Sequence, residues 1–367
     1  MSETTLSRAV GAPAPVPGDA GAPARTTWAE LGAADRIRAA YRDGRPERGV
    51  AVEALGELLT ELDADRPAGV VLSACVQLAT ALPLLAETVP RHEALHDGLA
   101  GRAVIALAAT DSGSGSDLTG AQTTVRRDGS EAEINGTKRW ITNATTADWL
   151  LVLARRRAGP HFTNFDWVLV AADTPGVRVE PADTDLFTGS GVGHVHLDGV
   201  RVGSDALIGG SGRGLPLFLR HIAVERLAGG LWATAVCRRV LSATRRWLVG
   251  REPLWEREGV RLDYARALVR ARQLDALVGS LGRRIAERHD QAAAALVKAS
   301  AGTTVEEVVA ACAHLYGAEG FTSAGLQRQR AEAALFGIAG GPTEVVLSAV
   351  ADRAEVLLRD FGPEGPW

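Results

Sequence analysis

The spacing of apolar residues changes twice along the chain. From Trp28 to about Arg102 it is helical: Val52, Leu55, Leu58, Leu59 and Leu62 recur three and four residues apart and share one helix face, which Pro67 closes. A second, more uniformly apolar helix follows from Ala68 to Val89. From Val104 to about Ile208 the runs are short and rich in Val, Ile, Leu and Trp: VIALAAT, EAEING, DWLLVLARR, FDWVLVAAD, GVRVEP and GHVHLDGVRV. The turn signals DGS, NGT, TPG and LDG separate them, which predicts a small antiparallel β-domain. Helical spacing returns from about Gly214 to Leu358, as one long amphipathic segment from Leu215 to Val249, three more at about 260–288, 290–316 and 324–337, and a short one from 342. The first 26 residues are rich in Ala, Pro and Gly without an apolar period, and are expected to be a disordered tail. The expectation is an α+β protein: tail 1–26, N-terminal helical domain 27–103, middle β-domain 104–212, and a C-terminal four-helix bundle 213–367.

Composition narrows the classes of function. A length of 367 residues suits two or three domains or layers with a real core. The net charge of −4 argues against nonspecific nucleic-acid binding. Cys75, Cys237 and Cys312 are few, odd in number and far apart, so they read as small buried hydrophobes in a reducing cytosol. The amino terminus lacks a basic region followed by an apolar one, and Ser73, Gln77, Thr80 and Pro83 interrupt the Ala68–Val89 stretch. A buried core helix and a cytoplasmic protein without a membrane segment are expected. His194 and His196 alternate on a strand, but no third ligand is placed, so no metal site is assigned. The arginine runs at 155–157 and 245–246 read as solvated faces, although Arg245 or Arg246 is within the scope of a diphosphate contact.

Two motifs carry chemistry. In LAATDSGSGSDLTG a strand runs into a Gly/Ser loop whose N–H groups and hydroxyls can approach a ligand closely. In INGTKRWITN, Trp140 and Thr142 fall on one side of the expected strand, an aromatic plane and a hydroxyl suited to a flat ring with polar edges. Together, Thr110-Asp111-Ser112-Gly113-Ser114-Gly115-Ser116-Asp117 and Asn135-Gly136-Thr137-Lys138-Arg139-Trp140-Ile141-Thr142-Asn143 resemble the T-E-P-x-x-G-S-D and N-G-x-K-x-W-I-T-N motifs of the acyl-CoA dehydrogenase family. Downstream, AHLYGAEGF resembles that family's Q-x-x-G-G-x-G-F/Y turn, and GIAGGPTEV its closing Y-E-G-T-x-E/Q-I segment. The likeness covers about residues 50 to 355.

The resemblance implies FAD, held by Leu107, Ala109, Thr110, Gly115, Ser116, Trp140, Thr142, His314, Gly317, Thr343 and Glu344, with Ser116 and Arg226 also meeting substrate. It implies α,β-dehydrogenation of an acyl thioester, in which a carboxylate removes the α-proton and the flavin takes the β-hydride. Most members carry that carboxylate in the Y-E-G segment, where this chain has Gly340. The isovaleryl-CoA type places it on the first long C-terminal helix before an arginine, which here is Glu225-Arg226. On a helical wheel Leu215, Phe218, Leu219, Ile222, Gly229 and Ala233 form one stripe, with Arg226 in its middle and Glu225 at its edge. Charges so placed are either paired structurally or functional, because burial without a partner is costly.

Other positions depart from the family pattern. Ala331-Glu332 replaces Arg-Asp, Val249-Gly250 replaces a Phe-Gly contact to a neighbour's FAD, His314 replaces Gln, Ala223 replaces an Asp that meets pantetheine, and RPERG replaces a Gly-Gly loop. The resemblance with these departures implies acyl-CoA or an acyl-carrier-protein thioester as the expected substrate, an electron acceptor such as an electron-transfer flavoprotein, and a homo-oligomeric dimer or tetramer or a heteromer. Two alternatives stay open: a non-catalytic or half-site partner subunit of a heteromeric dehydrogenase, and a flavin-dependent N-oxygenase on the same fold.

Overall fold

The computed structural model describes residues 22–112, 114–323 and 325–359. They form two compact units. A sheet unit contains residues 22–58 and Pro67–Glu225, and a helical unit contains Leu59–Arg66 and the chain from Arg226 onward.

The sheet unit starts with α1 (Ala22–Ala33). Pro23 lies in its first turn, where the missing N–H has no intrahelical partner to lose. The buried Trp28 donates its indole N–H to the Ala103 carbonyl at 3.1 Å, and Arg25 pairs with both oxygens of Asp148 at 2.8 Å. These anchors order residues 22–26, which the sequence pattern assigned to a tail; residues 1–21 lie outside the described residues.

After α2 (Arg36–Ala39), α3 (Val52–Asp65) buries Leu55, Leu58, Leu59 and Leu62, as their spacing predicts. Pro67 stands at the N-cap of α4 (Ala68–Val76), which continues through a π-helical turn, Gln77–Ala81, into α5 (Leu82–Thr88). Pro83 accounts for the widened turn: it has no N–H for the Ala79 carbonyl, and its ring would crowd that carbonyl in a regular α-turn. By length and composition Ala68–Thr88 is able to cross a membrane, but 89% of its apolar window is buried inside the fold, so it is a core helix. Helix α6 (Glu93–Leu99) then leads to the sheet.

The sheet has eight strands: β1 (Ile105–Ala108), β2 (Thr124–Asp128), β3 (Glu131–Ile141), β4 (Trp149–Arg155), β5 (Phe165–Ala171), β6 (Val177–Pro181), β7 (Gly193–Gly203) and β8 (Leu207–Ile208). Their order is β6-β7-β3-β2-β4-β5-β8, with β1 beside β4. Pairing is antiparallel except where β1 and, at one pair, β2 run parallel to β4. Strands β4 and β5 are buried along almost their whole length, which is why they read as unbroken apolar runs.

NGT and LDG, expected to be turns, instead lie inside β3 and β7. The register slips between Ile134 and Gly136, and the Asn135 side chain accepts the Gly199 N–H at 2.8 Å across the irregularity. Gly136 has φ of +150°, and a Cβ there would stand 2.6 Å from the Thr123 backbone, so this glycine allows a bulge over β2 rather than a reversal of the chain.

In the helical unit, α7 (Gly214–Val249) continues from the sheet unit and is followed by α8 (Glu252–Trp255), α9 (Glu258–Arg288) and α10 (Gln291–Leu315). The segment expected as one helix over 324–337 is broken into α11 (Gln327–Ala333) and α12 (Leu335–Ile338). Helices α13 (Thr343–Ala351) and α14 (Ala354–Arg359) close the unit. Asp63 from α3 is clamped to α7 by the Trp232 indole at 3.1 Å and the Arg239 guanidinium at 2.7 Å. Helix α10 buries Ala292–Ala295, Ala299, Ala301 and Gly302, small side chains that let its neighbours approach closely. The free Cys75, Cys237 and Cys312 are buried, and burial pushes the last two thiols up to about 12 and about 11, far from a reactive thiolate.

Candidate active site

The Gly/Ser loop and the W-I-T strand meet at Asp111. Its carboxylate accepts the backbone N–H of Gln122 at 2.6 Å and of Thr123 at 2.9 Å and the Ser114 hydroxyl at 3.1 Å, and lies 3.8 Å from the Lys138 ammonium. Both charged side chains are essentially inaccessible. Lys138 also donates to the Ala109 carbonyl at 3.0 Å, and the Arg139 N–H to the Thr110 carbonyl at 3.0 Å. Burial lowers the Lys138 pKa to about 8, against the opposing pull of Asp111. Asp111 thus fastens the loop of one motif to the strand of the other.

Two residues beyond Lys138 the strand breaks step. The β3–β7 register slips between Lys138 and Ile141, and Trp140 takes a left-handed backbone, φ +56°. The simple alternation that put Trp140 and Thr142 on one side of a strand does not hold: Trp140 is the bulge residue, and Thr142 lies just past the strand end. The bulge is held by His194 of β7, whose Nδ1 accepts the Trp140 N–H at 3.1 Å while its ring meets the indole edge-on, 5.5 Å between centroids. Accepting that bond requires a neutral imidazole, and burial together with the neighbouring Arg139 lowers the His194 pKa, which favours this form. His194 therefore does more than the plain strand residue expected of it. Among the described residues no cluster of three metal-ligating side chains is present.

Trp140 is 55% exposed, unusual for the largest side chain at the end of a sheet. Leu107 and Thr110 are half-buried, Ala109 is buried, and Gly115 and Ser116 are exposed. A Cβ at Gly115 would meet no atom within 4 Å, so the loop borders open space. The arginine at 155 is not on a solvated face: it donates to the carbonyls of Thr119, Ala121 and Gly159 and stacks over Phe165, bracing the far end of the Gly/Ser loop. Arg156 lies 3.5 Å from the buried Asp166. Arg245 covers the Trp255 ring at 3.9 Å.

Glu225, the last residue of the sheet unit, is half-buried on α7, and one carboxylate oxygen accepts the hydroxyl of the buried Thr80 at 2.6 Å. One turn earlier on α7, His221 is bonded to Glu87 of α5 at 3.1 Å. The stripe expected on α7 is wider than its wheel suggested: Leu217, Val224, Leu227 and Ala228 are buried too, while Leu219 is exposed.

The remaining assigned residues belong to the helical unit. Arg226 donates its Nε–H to the Gly340 carbonyl at 3.0 Å. Gly340 and Gly341 have φ of +73° and +107°, and a Cβ at Gly340 would be 3.7 Å from the Arg226 and Lys298 side chains. Space exists there, but the backbone is one that a residue with a side chain rarely adopts. Lys298 is buried and donates to the Phe336 carbonyl of α12, the helix just before the Gly340 loop. Thr343 donates to the Gly337 carbonyl at 3.2 Å, and His314, Gly317 and Glu344 are exposed. Leu107 to Thr142 and Glu225 are thus brought into one unit, and Arg226, His314, Gly317, Thr343 and Glu344 into the other. The roles of Asp111, Lys138, His194 and Thr80 were not apparent from the sequence; the one available signal was that Lys138 and Lys298, both buried, are the only lysines in an arginine-rich chain.

Residues 106–200 match the family model of the acyl-CoA dehydrogenase middle domain, and residues 212–355 that of the acyl-CoA dehydrogenase C-terminal domain. The chain belongs to the acyl-CoA dehydrogenase family. The probable acyl-CoA dehydrogenase FadE10 of Mycobacterium bovis is 33% identical over 201 residues, 52% of this chain and 31% of that relative, so the chain spans about a third of its length. The acyl-[acyl-carrier-protein] dehydrogenase MbtN of Mycobacterium bovis is 28% identical over 84% of this chain and 81% of that one. The crystal structure of a probable acyl-CoA dehydrogenase from Mycobacterium abscessus shares the fold, with a TM-score of 0.82, 23% identity and 90% of each chain covered. The family's layout of helices, sheet and helices is the one built here from the sequence pattern.

Proposed function

We propose that this acyl-CoA dehydrogenase family member binds FAD and removes the α-proton of an acyl thioester with Glu225, forming the α,β-double bond. One observation carries the reading: Glu225 on α7 is a half-buried carboxylate whose Oε2 is held by Thr80, while the loop that carries the base in most members has a left-handed glycine, Gly340. The sheet unit suits a flavin, because it presents a half-exposed indole fixed by His194 beside a loop that borders open space at Gly115. When bound, FAD would accept the β-hydride. Trp140 and Thr142 would pack and bond the ring, Thr110, Gly115 and Ser116 its edge, and Leu107 and Ala109 its apolar side. His314, Gly317, Thr343 and Glu344 are our assignments for the rest of the cofactor, and Ser116 and Arg226 for the substrate.

The likeness to MbtN, named for an acyl-carrier-protein substrate, supports a carrier-protein thioester beside CoA, as does Ala223 in place of an acidic pantetheine contact. An electron-transfer flavoprotein would fit as electron acceptor. The loss of Phe at Val249 and of the Arg-Asp pair at Ala331-Glu332 favours a second reading, a half-site subunit that needs a partner chain.

The purified protein is expected to be yellow, with flavin absorption bands that bleach when acyl thioester is added. Glu225→Gln keeps shape and hydrogen bonding but cannot take the proton. It should leave flavin content unchanged and slow flavin reduction about 100- to 10,000-fold, the usual worth of a general base. Reduction at the wild-type rate would show that the base is another residue. Protein that takes up FAD yet bleaches only after a partner chain is added would establish the half-site reading.

A further inference from the structure

We infer that Thr80 is a positioning residue that fixes the Glu225 carboxylate and holds it ionised; the inference rests on the reading of Glu225 as the base. Thr80 is fully buried in the π-helical turn between α4 and α5, in a helix whose buried positions are mostly Val, Leu and Ala, with Ser73 and Gln77 the other buried polar residues. A helical threonine commonly turns its hydroxyl back to the carbonyl four residues earlier. This one donates to Glu225 Oε2 across 145 residues of sequence, at 2.6 Å, within the range of a charge-assisted O–H···O⁻ bond.

The turn that carries it is a consequence of Pro83, which cannot complete a regular α-turn, and single π-turns inside α-helices recur at functional sites. Three residues earlier in the same turn, Gln77 accepts the Ile105 N–H at 3.0 Å, so the turn is tied both to the start of β1 and to Glu225. With Oε2 held, the direction in which the carboxylate faces its substrate is set before substrate arrives, which is the geometric requirement on a general base. A donor to the charged form also stabilises that form over the acid. The other titratable groups that α5 and α7 contribute nearby are already engaged: Glu87 bonds His221 and Arg220, both at 3.1 Å, and Arg226 bonds the Gly340 carbonyl.

The test compares FAD-loaded wild type, Thr80→Val, Thr80→Ser and Glu225→Gln. The ionisation of Glu225 is followed by infrared difference spectroscopy across pH, its band identified by loss in Glu225→Gln. Flavin reduction by butyryl-CoA, isovaleryl-CoA and octanoyl-CoA is followed over the same range. Thr80→Val is expected to raise the Glu225 pKa by about one unit. It should move the rising limb of the reduction profile by the same amount, with flavin content unchanged, while Thr80→Ser restores both. Thr80→Ala serves in its place if the valine variant does not fold. A Thr80→Val infrared titration and reduction profile that superimpose on wild type overturn the inference, even with Glu225→Gln impaired. Unimpaired reduction in Glu225→Gln instead removes the reading of Glu225 as base, and the inference with it; where none of the three thioesters bleaches the wild type, the infrared titration alone decides.

Discussion

Gly340 shows what one residue decides. The motif resemblance sets this position opposite the carboxylate of most family members, and here its φ is +73° and its carbonyl accepts the Arg226 Nε–H. A side chain there faces ordinary contacts at 3.7 Å, so the obstacle is conformational rather than steric. Introducing Gly340→Glu into a Glu225→Gln background is therefore expected to cost about 1–2 kcal/mol of stability through left-handed strain, whether or not it returns a proton acceptor. Urea unfolding checks this, with Gly340→Ala as the comparison: the two variants should be destabilised alike, because the penalty belongs to the Cβ.

At the scale of elements, the buried Asp111–Lys138 pair joins a loop to a strand, and the pair is held by geometry as much as by charge, since Asp111 also accepts two backbone N–H groups. Removing one partner leaves a buried charge without compensation, so Lys138→Met should lower stability by about 3–5 kcal/mol and release the Gly/Ser loop. The pH dependence has a definite sign. Because the folded-state pKa of Lys138 is depressed to about 8 from 10.5, the unfolded chain binds the extra proton between those values. This lysine's contribution to stability is thus complete above pH 10.5 and is lost as pH falls through about 8. Unfolding free energies measured from pH 7.5 to 10.5 should rise from this source in wild type, and Lys138→Met should remove that part of the slope.

For the whole molecule, the notable feature is the apolar surface of the helical unit. Phe321, Ile338 and Leu358 are 77%, 65% and 68% exposed, and Val345, Leu347 and Val356 are close to half exposed. Apolar side chains exposed to this extent supply area that association would remove from water. We propose that it is covered by further copies of the chain in a symmetric dimer or tetramer. Light scattering at micromolar concentration is expected to give a mass of two or four chains, and Leu358→Asp with Ile338→Asp to lower it; a wild-type monomer would contradict the proposal.

Much of the protein was legible in its residues, because the information is local. Period 3.6 placed α3, α7, α9 and α10, and short runs rich in Val, Ile, Leu and Trp placed six of the strands, since both signals depend only on neighbours a few positions away. The paired motifs and the exchange of Gly340 for Glu225 pointed to the family and its chemistry for the same reason: each is a short string. What remained hidden depends on residues brought together from afar. NGT read as a turn because Asn-Gly favours one locally, and only the strand crossing at Thr123 makes it a bulge. The phase of Trp140 followed from a bulge that His194, 54 residues away, holds open. Arg155 looked solvated until carbonyls of two separate loops, Thr119 and Ala121 of one and Gly159 of the other, converged on it, and Thr80 looked like a mere interruption in an apolar helix until Glu225 arrived 145 residues later. Periodicity determines which elements form, whereas the partner of a polar side chain is chosen by the packing of those elements, which no local pattern encodes.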